Sequence, residues 1–252
     1  MTTVDISIIL PALLAGALVL LTHVPLGMRV LARGIVFIDL TIAQLAGLGA
    51  IAASVLGGGH AWVVQLGAVI AALAGGLLLT YTEKRWPRQQ EALIGVLFVL
   101  AASVSMLLLA HEPHADERFR EILAGQILWL TYADLGVLAL ASAILLLLGW
   151  GLRKHLDGGA FYFLFALTVT ASVQYVGIFL VFSSLIIPAL VGYSSGRSKV
   201  ATAYLVGLSG YIVGLVISLY TDLPAAPLIV CAMSAIALVT AGIRPRFKSF
   251  LR

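Results

Sequence analysis

Eight apolar stretches, each near the length a helix needs to cross a bilayer, constrain this chain more than any other feature. They fall near residues 6–27, 35–57, 61–82, 92–110, 132–152, 160–192, 200–220 and 225–243. A hydrocarbon core about 30 Å thick requires about 20 residues of helix. Backbone amides in lipid must be satisfied within the segment, so the pattern predicts an all-α, polytopic transmembrane helical bundle. With 62% of residues hydrophobic and only 10% charged, a soluble domain is excluded. The first stretch lacks a small-residue cleavage pattern and reads as a retained helix, not a signal peptide.

The connections are short and polar: "MRVLAR" (28–33), "EKRWPRQQE" (83–91), "HEPHADERFRE" (111–121), "LRKHLDGG" (152–159), "SSGRSK" (194–199) and the tail "RPRFKSFLR" (244–252). None is long enough for a soluble domain, and no heptad, low-complexity tract or short-period repeat interrupts the pattern. One transmembrane helical domain over residues 1–252 is expected. The net charge of +4 comes from basic residues at helix ends, which speaks for membrane topology and against a nucleic-acid partner. Cys231 stands alone, so no intrachain disulfide can form, and it is read as a packing residue.

Cytoplasmic loops carry an excess of Lys and Arg. Residues 28–33, 83–88, 153–155 and 244–252 are therefore assigned inside, with the N-terminus and 111–121 outside. One difficulty follows: if 160–192 crossed once, the basic C-terminus would end outside. That stretch is too long for one straight span and contains Gly177 and Pro188, so a break giving a second crossing or a re-entrant piece is expected. Within "FLVFSSLIIPALVG" (179–192), Pro188 removes a backbone donor and is expected to open the helix, with Ser183 and Ser184 one turn upstream able to bond freed groups. Gly47, Gly49, the "ALAGG" run at 72–76, Gly207, Gly210 and Gly214 are expected to serve close helix packing.

Three stretches read together resemble a known family. "RGIVFIDLTIAQLAGLGA" (33–50), "EALIGVLF" (91–98) and "VQYVGIFLVFSSLIIPALVG" (173–192) are similar to the membrane subunits of ABC importers for zinc, manganese or iron. The segment "YLVGLSGYIVGLVISLYTDLPAAPLIV" (204–230) is similar to the family's glycine-rich helix, Asp-x-Pro turn and final helix. A more distant resemblance links the C-terminal half to permeases for cobalamin and iron-siderophores. The resemblance implies a multi-pass protein of the inner (cytoplasmic) membrane, working as a homodimer with the path at the two-fold interface. It implies two further partners: a cytoplasmic ATP-binding subunit and an extracytoplasmic metal-binding protein. No G-x-x-x-x-G-K-[ST] phosphate loop occurs, so ATP hydrolysis is expected in that separate subunit and the chain itself is no enzyme.

The expected cargo is a divalent transition metal ion, carried as substrate with no permanently bound cofactor. Ionisable residues within membrane helices are functional candidates by default. Asp39 and Glu91 match acidic positions of the family, although a carboxylate at a helix start also answers the helix dipole. Many relatives carry a histidine four residues after the aspartate; here Ala43 takes that place and Gln44 follows, leaving no zinc-like site. Asp39, Gln44, Glu91, Ser183, Ser184 and Pro188 are the candidates for the translocation path. In the outer loop, His111, Glu112, His114, Asp116 and Glu117 form a candidate metal-capture cluster, against the alternative of a solvated acidic loop. The family's longer ATPase-docking segment is expected between the fifth and sixth spans. Here it is shortened to Arg153, Lys154, His155 and Asp157, which could form the ATPase contact or only fix topology. The alternatives to an ABC importer are a secondary carrier or channel without an ATPase, and a membrane assembly subunit that transports nothing.

Overall fold

The structure is a computed structural model describing residues 6–56, 60–109, 125, 127–156, 158–193, 199–221 and 223–243. Among these residues eight α-helices and two short 3-10 turns follow one another, with no strand. The helices are α1 (Ile6–Arg33), α2 (Ile38–Leu56), α3 (Ala61–Arg85), α4 (Gln90–Leu109), α5 (Tyr132–Gly151), α6 (Gly159–Tyr193), α7 (Lys199–Thr221) and α8 (Ala225–Ile243). Seven are long and apolar enough to cross a membrane, and α8 carries a shorter apolar run over Ala225–Thr240. The eight apolar stretches of the sequence thus become eight helices.

The sixth stretch resolves the charge problem at a residue other than the proline. Gly177 adopts φ 79° and ψ 164°, outside the helical region and accessible in practice only to glycine. It divides α6 into arms 159–176 and 178–193. The first arm starts beside Arg33, whose Nη2 donates to the Leu156 carbonyl at 2.8 Å and whose guanidinium lies 4.3 Å from the Phe161 ring. The second arm ends with Gly192 packed against Met28 and Lys199, at the same end of α1. Both ends of α6 therefore lie on the Arg33 face, and Gly177 lies at the far side against Gly125. The arms, at 1.5 Å per residue, reach about 27 Å and about 24 Å, so each nearly spans the core.

The remaining helices follow from this reversal. Helix α7 runs antiparallel to α1, with Gly207 on Leu20 and Tyr211 on Gly16. Helix α8 returns antiparallel to α7, with Ile229 on Gly214 and Met233 on Gly210. It therefore ends at Ile243 on the Arg33 side, where the positive-inside rule wants the basic tail.

Pro188 does not open the helix. The backbone stays helical through it, and the side chain is buried in the second arm. The carbonyl that a proline at 188 leaves without its N–H is that of Ser184. Neither serine hydroxyl serves it: Ser183 Oγ donates to the Phe179 carbonyl at 2.7 Å, and Ser184 Oγ pairs with Tyr211 Oη at 2.8 Å. Pro25, one of two prolines in α1, shows a direct compensation, since the Leu21 carbonyl that it deprives accepts from Tyr204 Oη at 3.3 Å.

Helix α6 is the centre of the bundle: Phe161, Tyr162, Phe165, Leu180 and Leu185 are fully buried. Helices α4 and α5 turn Val96, Val99, Leu107, Val137, Leu140 and Leu147 outwards, as a lipid-facing surface requires. Backbones meet where glycines permit. A Cβ on Gly49 would collide with the Gly67 carbonyl and Ala71, and one on Gly75 with Leu45. These glycines serve the packing expected of them.

Candidate functional site

Helix α2 starts at Ile38, directly after a turn held from two sides. The Phe37 N–H donates to Glu91 Oε1 at 3.3 Å, and Thr41 Oγ1 donates to the Ile94 carbonyl at 3.0 Å. Glu91 therefore answers the start of a neighbouring helix instead of its own, which ties α4 to α2; its Oε2 has no partner. Arg33, just upstream, is fixed by Glu83 at 3.3 Å and by the Leu156 carbonyl. This lattice sets the rotation of α2.

The rotation sends Asp39 inwards. It is 0% exposed, and neither carboxylate oxygen has a hydrogen-bond partner. A buried carboxylate without a partner is strongly unfavourable unless something positive or a proton compensates it. Ala43, Ala46 and Ala50 continue the same face at helical spacing. With Gly47 they line a cleft of about 130 Å³, closed on the other sides by Val64, Gln65 and Ala68 of α3 and Thr170, Val173 and Gln174 of the first α6 arm. The cleft occupies the half of the bundle remote from Arg33, and Asp39 lies one helical turn from Ala43 towards the Arg33 end. Thr170 is 3% exposed with an unpartnered hydroxyl, Gln65 is half-buried, and Gln174 is exposed at the rim.

Gln44 is buried but absent from the cleft wall, because one residue turns the helix about 100°. Ser183 and Ser184 lie in the other half, against α7, and Pro188 lies in the same arm near α1. The six candidates for a path are thus not gathered in one place. Arg153, Lys154 and His155 stand exposed on a turn over Leu152–Leu156, with Arg153 5.2 Å from the Trp150 ring. Asp157 and the outer-loop residues His111, Glu112, His114, Asp116 and Glu117 lie outside the described residues. Among those described, no group of three or more His, Cys, Asp and Glu gathers.

Sequence reasoning missed Gln65, Thr170 and Gln174, which are unremarkable until α3 and α6 are brought to α2. It also missed His23, fully buried in α1, for which an ionisable residue inside an apolar run was the available signal. His23 Nδ1 lies 2.9 Å from the Val19 carbonyl, which can only accept, so Nδ1 bears the proton and Nε2 is the atom left without a partner.

The fold and the site are those of a polytopic membrane protein: a glycine-hinged bundle of apolar helices with a buried, unpartnered carboxylate below a mostly apolar cleft that carries three polar side chains. Comparison with known proteins makes that specific. The ABC 3 transport family model matches residues 5–158 and 149–243, and the chain belongs to that family. It is 22% identical over 237 residues to a "Probable metal transport system membrane protein" of Chlamydia muridarum, covering 81% of each chain. It is 26% identical over 195 residues to an uncharacterized membrane protein encoded in the ycf23-apcF intergenic region of Cyanophora paradoxa. That match takes in 68% of this chain and spans 64% of the relative's length. The fold is that of PsaBC from Streptococcus pneumoniae, solved with a Fab, at a TM-score of 0.76 and 21% identity over 95% of this chain and 92% of that one. A metal-chelate type ABC transporter in an inward-facing conformation is also similar, at 0.66 and 18% over 92% and 85%.

Proposed function

We propose that the chain is the membrane-spanning subunit of an ABC importer that moves a divalent transition metal ion by alternating access. Membership of the ABC 3 transport family and the metal transport named for the Chlamydia relative support this reading. The observation that carries it is Asp39, a fully buried carboxylate with both oxygens unpartnered. With no other partner, that carboxyl group is open to a passing cation, which supplies the positive charge that a buried carboxylate needs. A second copy of the chain, a cytoplasmic ATP-binding subunit and an extracytoplasmic metal-binding protein complete the assembly, placed in the cytoplasmic membrane. ATP is hydrolysed by the separate subunit, and the exposed turn with Arg153, Lys154 and His155 is a surface available to it.

The test is metal uptake into vesicles holding the chain with its ATPase. Asp39→Asn keeps size and polarity but removes the charge, so uptake should fall roughly tenfold or more at unchanged assembly, tenfold corresponding to about 1.4 kcal/mol. Uptake that proceeds equally without ATP would show a secondary carrier. Wild-type uptake by Asp39→Asn would remove the carboxylate from the path.

A further inference from the structure

The cleft above Asp39 has a donor set of its own. A threonine in a helix normally donates its hydroxyl to the carbonyl four residues back. Its two neighbours do so: Thr168 Oγ1 donates to the Leu164 carbonyl at 2.8 Å and Ser172 Oγ to the Thr168 carbonyl at 2.9 Å. Thr170 lies between them on the same arm, is 3% exposed, and leaves its hydroxyl unpartnered in the cleft wall. Gln65 and Gln174, each expensive in a membrane helix, line the same space from two different helices. The facing wall is Ala43, Ala46, Gly47 and Ala50, which contribute nothing larger than a methyl group. A volume of about 130 Å³ holds an ion with roughly four waters at about 30 Å³ each.

We propose that this cleft is an oxygen-donor site for a partly hydrated divalent cation on its way to Asp39. It is built from the Thr170 hydroxyl and the side-chain carbonyls of Gln65 and Gln174, with waters filling the space against the small-residue face of α2. The inference rests on the proposed transport function and assigns that function's ion-selecting groups. Neutral oxygen donors hold a hard cation loosely enough to release it, and the carboxylate one turn below draws it inwards. With no imidazole or thiolate among the described residues of the wall, the site gives zinc less advantage over manganese than a nitrogen-bearing site does.

The experiment is titration of the purified full-length chain with Mn2+ alone, following loss of the free-ion electron paramagnetic resonance signal. Vesicle uptake is measured beside it. Thr170→Val and Gln174→Leu should each weaken Mn2+ binding roughly tenfold, the scale on which supporting polar groups act on metal affinity. Thr170→Ser, which keeps the hydroxyl, should restore it. Ala43→His should raise Zn2+ binding relative to Mn2+ by about tenfold or more, because the added imidazole projects into the cleft. Wild-type Mn2+ affinity in both Thr170→Val and Gln174→Leu, with binding lost in Asp39→Asn, overturns this site and leaves the transport reading intact. Absence of Mn2+ binding by the wild-type chain also overturns the site, while ATP-driven uptake then decides the transport reading independently.

Discussion

The two halves of the bundle differ in the buried polar groups they leave without a partner. Around α1, the second α6 arm and α7, polar atoms find one another: Ser184 with Tyr211, Tyr204 with the Leu21 carbonyl, Ser183 with the Phe179 carbonyl. Around α2, α3 and the first α6 arm Thr41, Thr168 and Ser172 are paired as well, but Asp39 and Thr170 are left without a partner. Lipid penalises every unsatisfied group, so paired atoms stabilise the fold and the orphans persist for another reason. Placement of the orphans beside a cleft supplies that reason. His23 Nε2 is an exception in the first half, a buried atom with no partner.

The hinge joining the halves should give the largest effect. Gly177→Val forces a branched side chain into a conformation reserved for glycine, at a cost of about 1–3 kcal/mol from backbone strain alone. It is buried, with its backbone against Gly125. The expected outcome is loss of folded protein in a detergent thermal-unfolding assay; a near-normal melting point would mean that the reversal does not depend on this residue.

A matched pair of substitutions sharpens the contrast between paired and orphaned atoms. Tyr211→Phe strands the Ser184 hydroxyl and should lower stability by about 1–3 kcal/mol with little change in uptake. Thr170→Val removes a hydroxyl that nothing satisfies, so stability should hold or rise by about 1 kcal/mol while uptake falls. Equal destabilisation by both in the same melt would erase the distinction between the halves.

Pro188→Ala should give the smallest effect. The arm is already helical at that position, and alanine restores an N–H to the Ser184 carbonyl. Uptake should persist with stability unchanged or slightly raised. Loss of uptake in an assembled protein would return Pro188 to the path and shift attention to its half of the bundle.

Much of the fold was legible because a membrane helix must be a long apolar run, and length alone then counts the helices. The charge pattern even demanded a reversal inside 160–192, but the expectation settled on Pro188, whereas the structure makes it at Gly177. Proline weakens a helix, yet neighbours can hold it straight, whereas the reversal needs a positive φ that proline cannot adopt. Asp39 was legible as an ionisable residue in an apolar setting. Gln65, Thr170 and Gln174 were not, because polar residues scattered over two helices acquire meaning only through a shared wall. Sequence determined the class and the eight apolar stretches, since these depend on hydropathy along the chain. Only the tertiary structure decided which polar atoms would be paired and which would be left facing a cleft, because that depends on helix rotation, set by contacts such as Glu91 with Phe37 and Gly49 with Gly67 that join residues far apart in the chain.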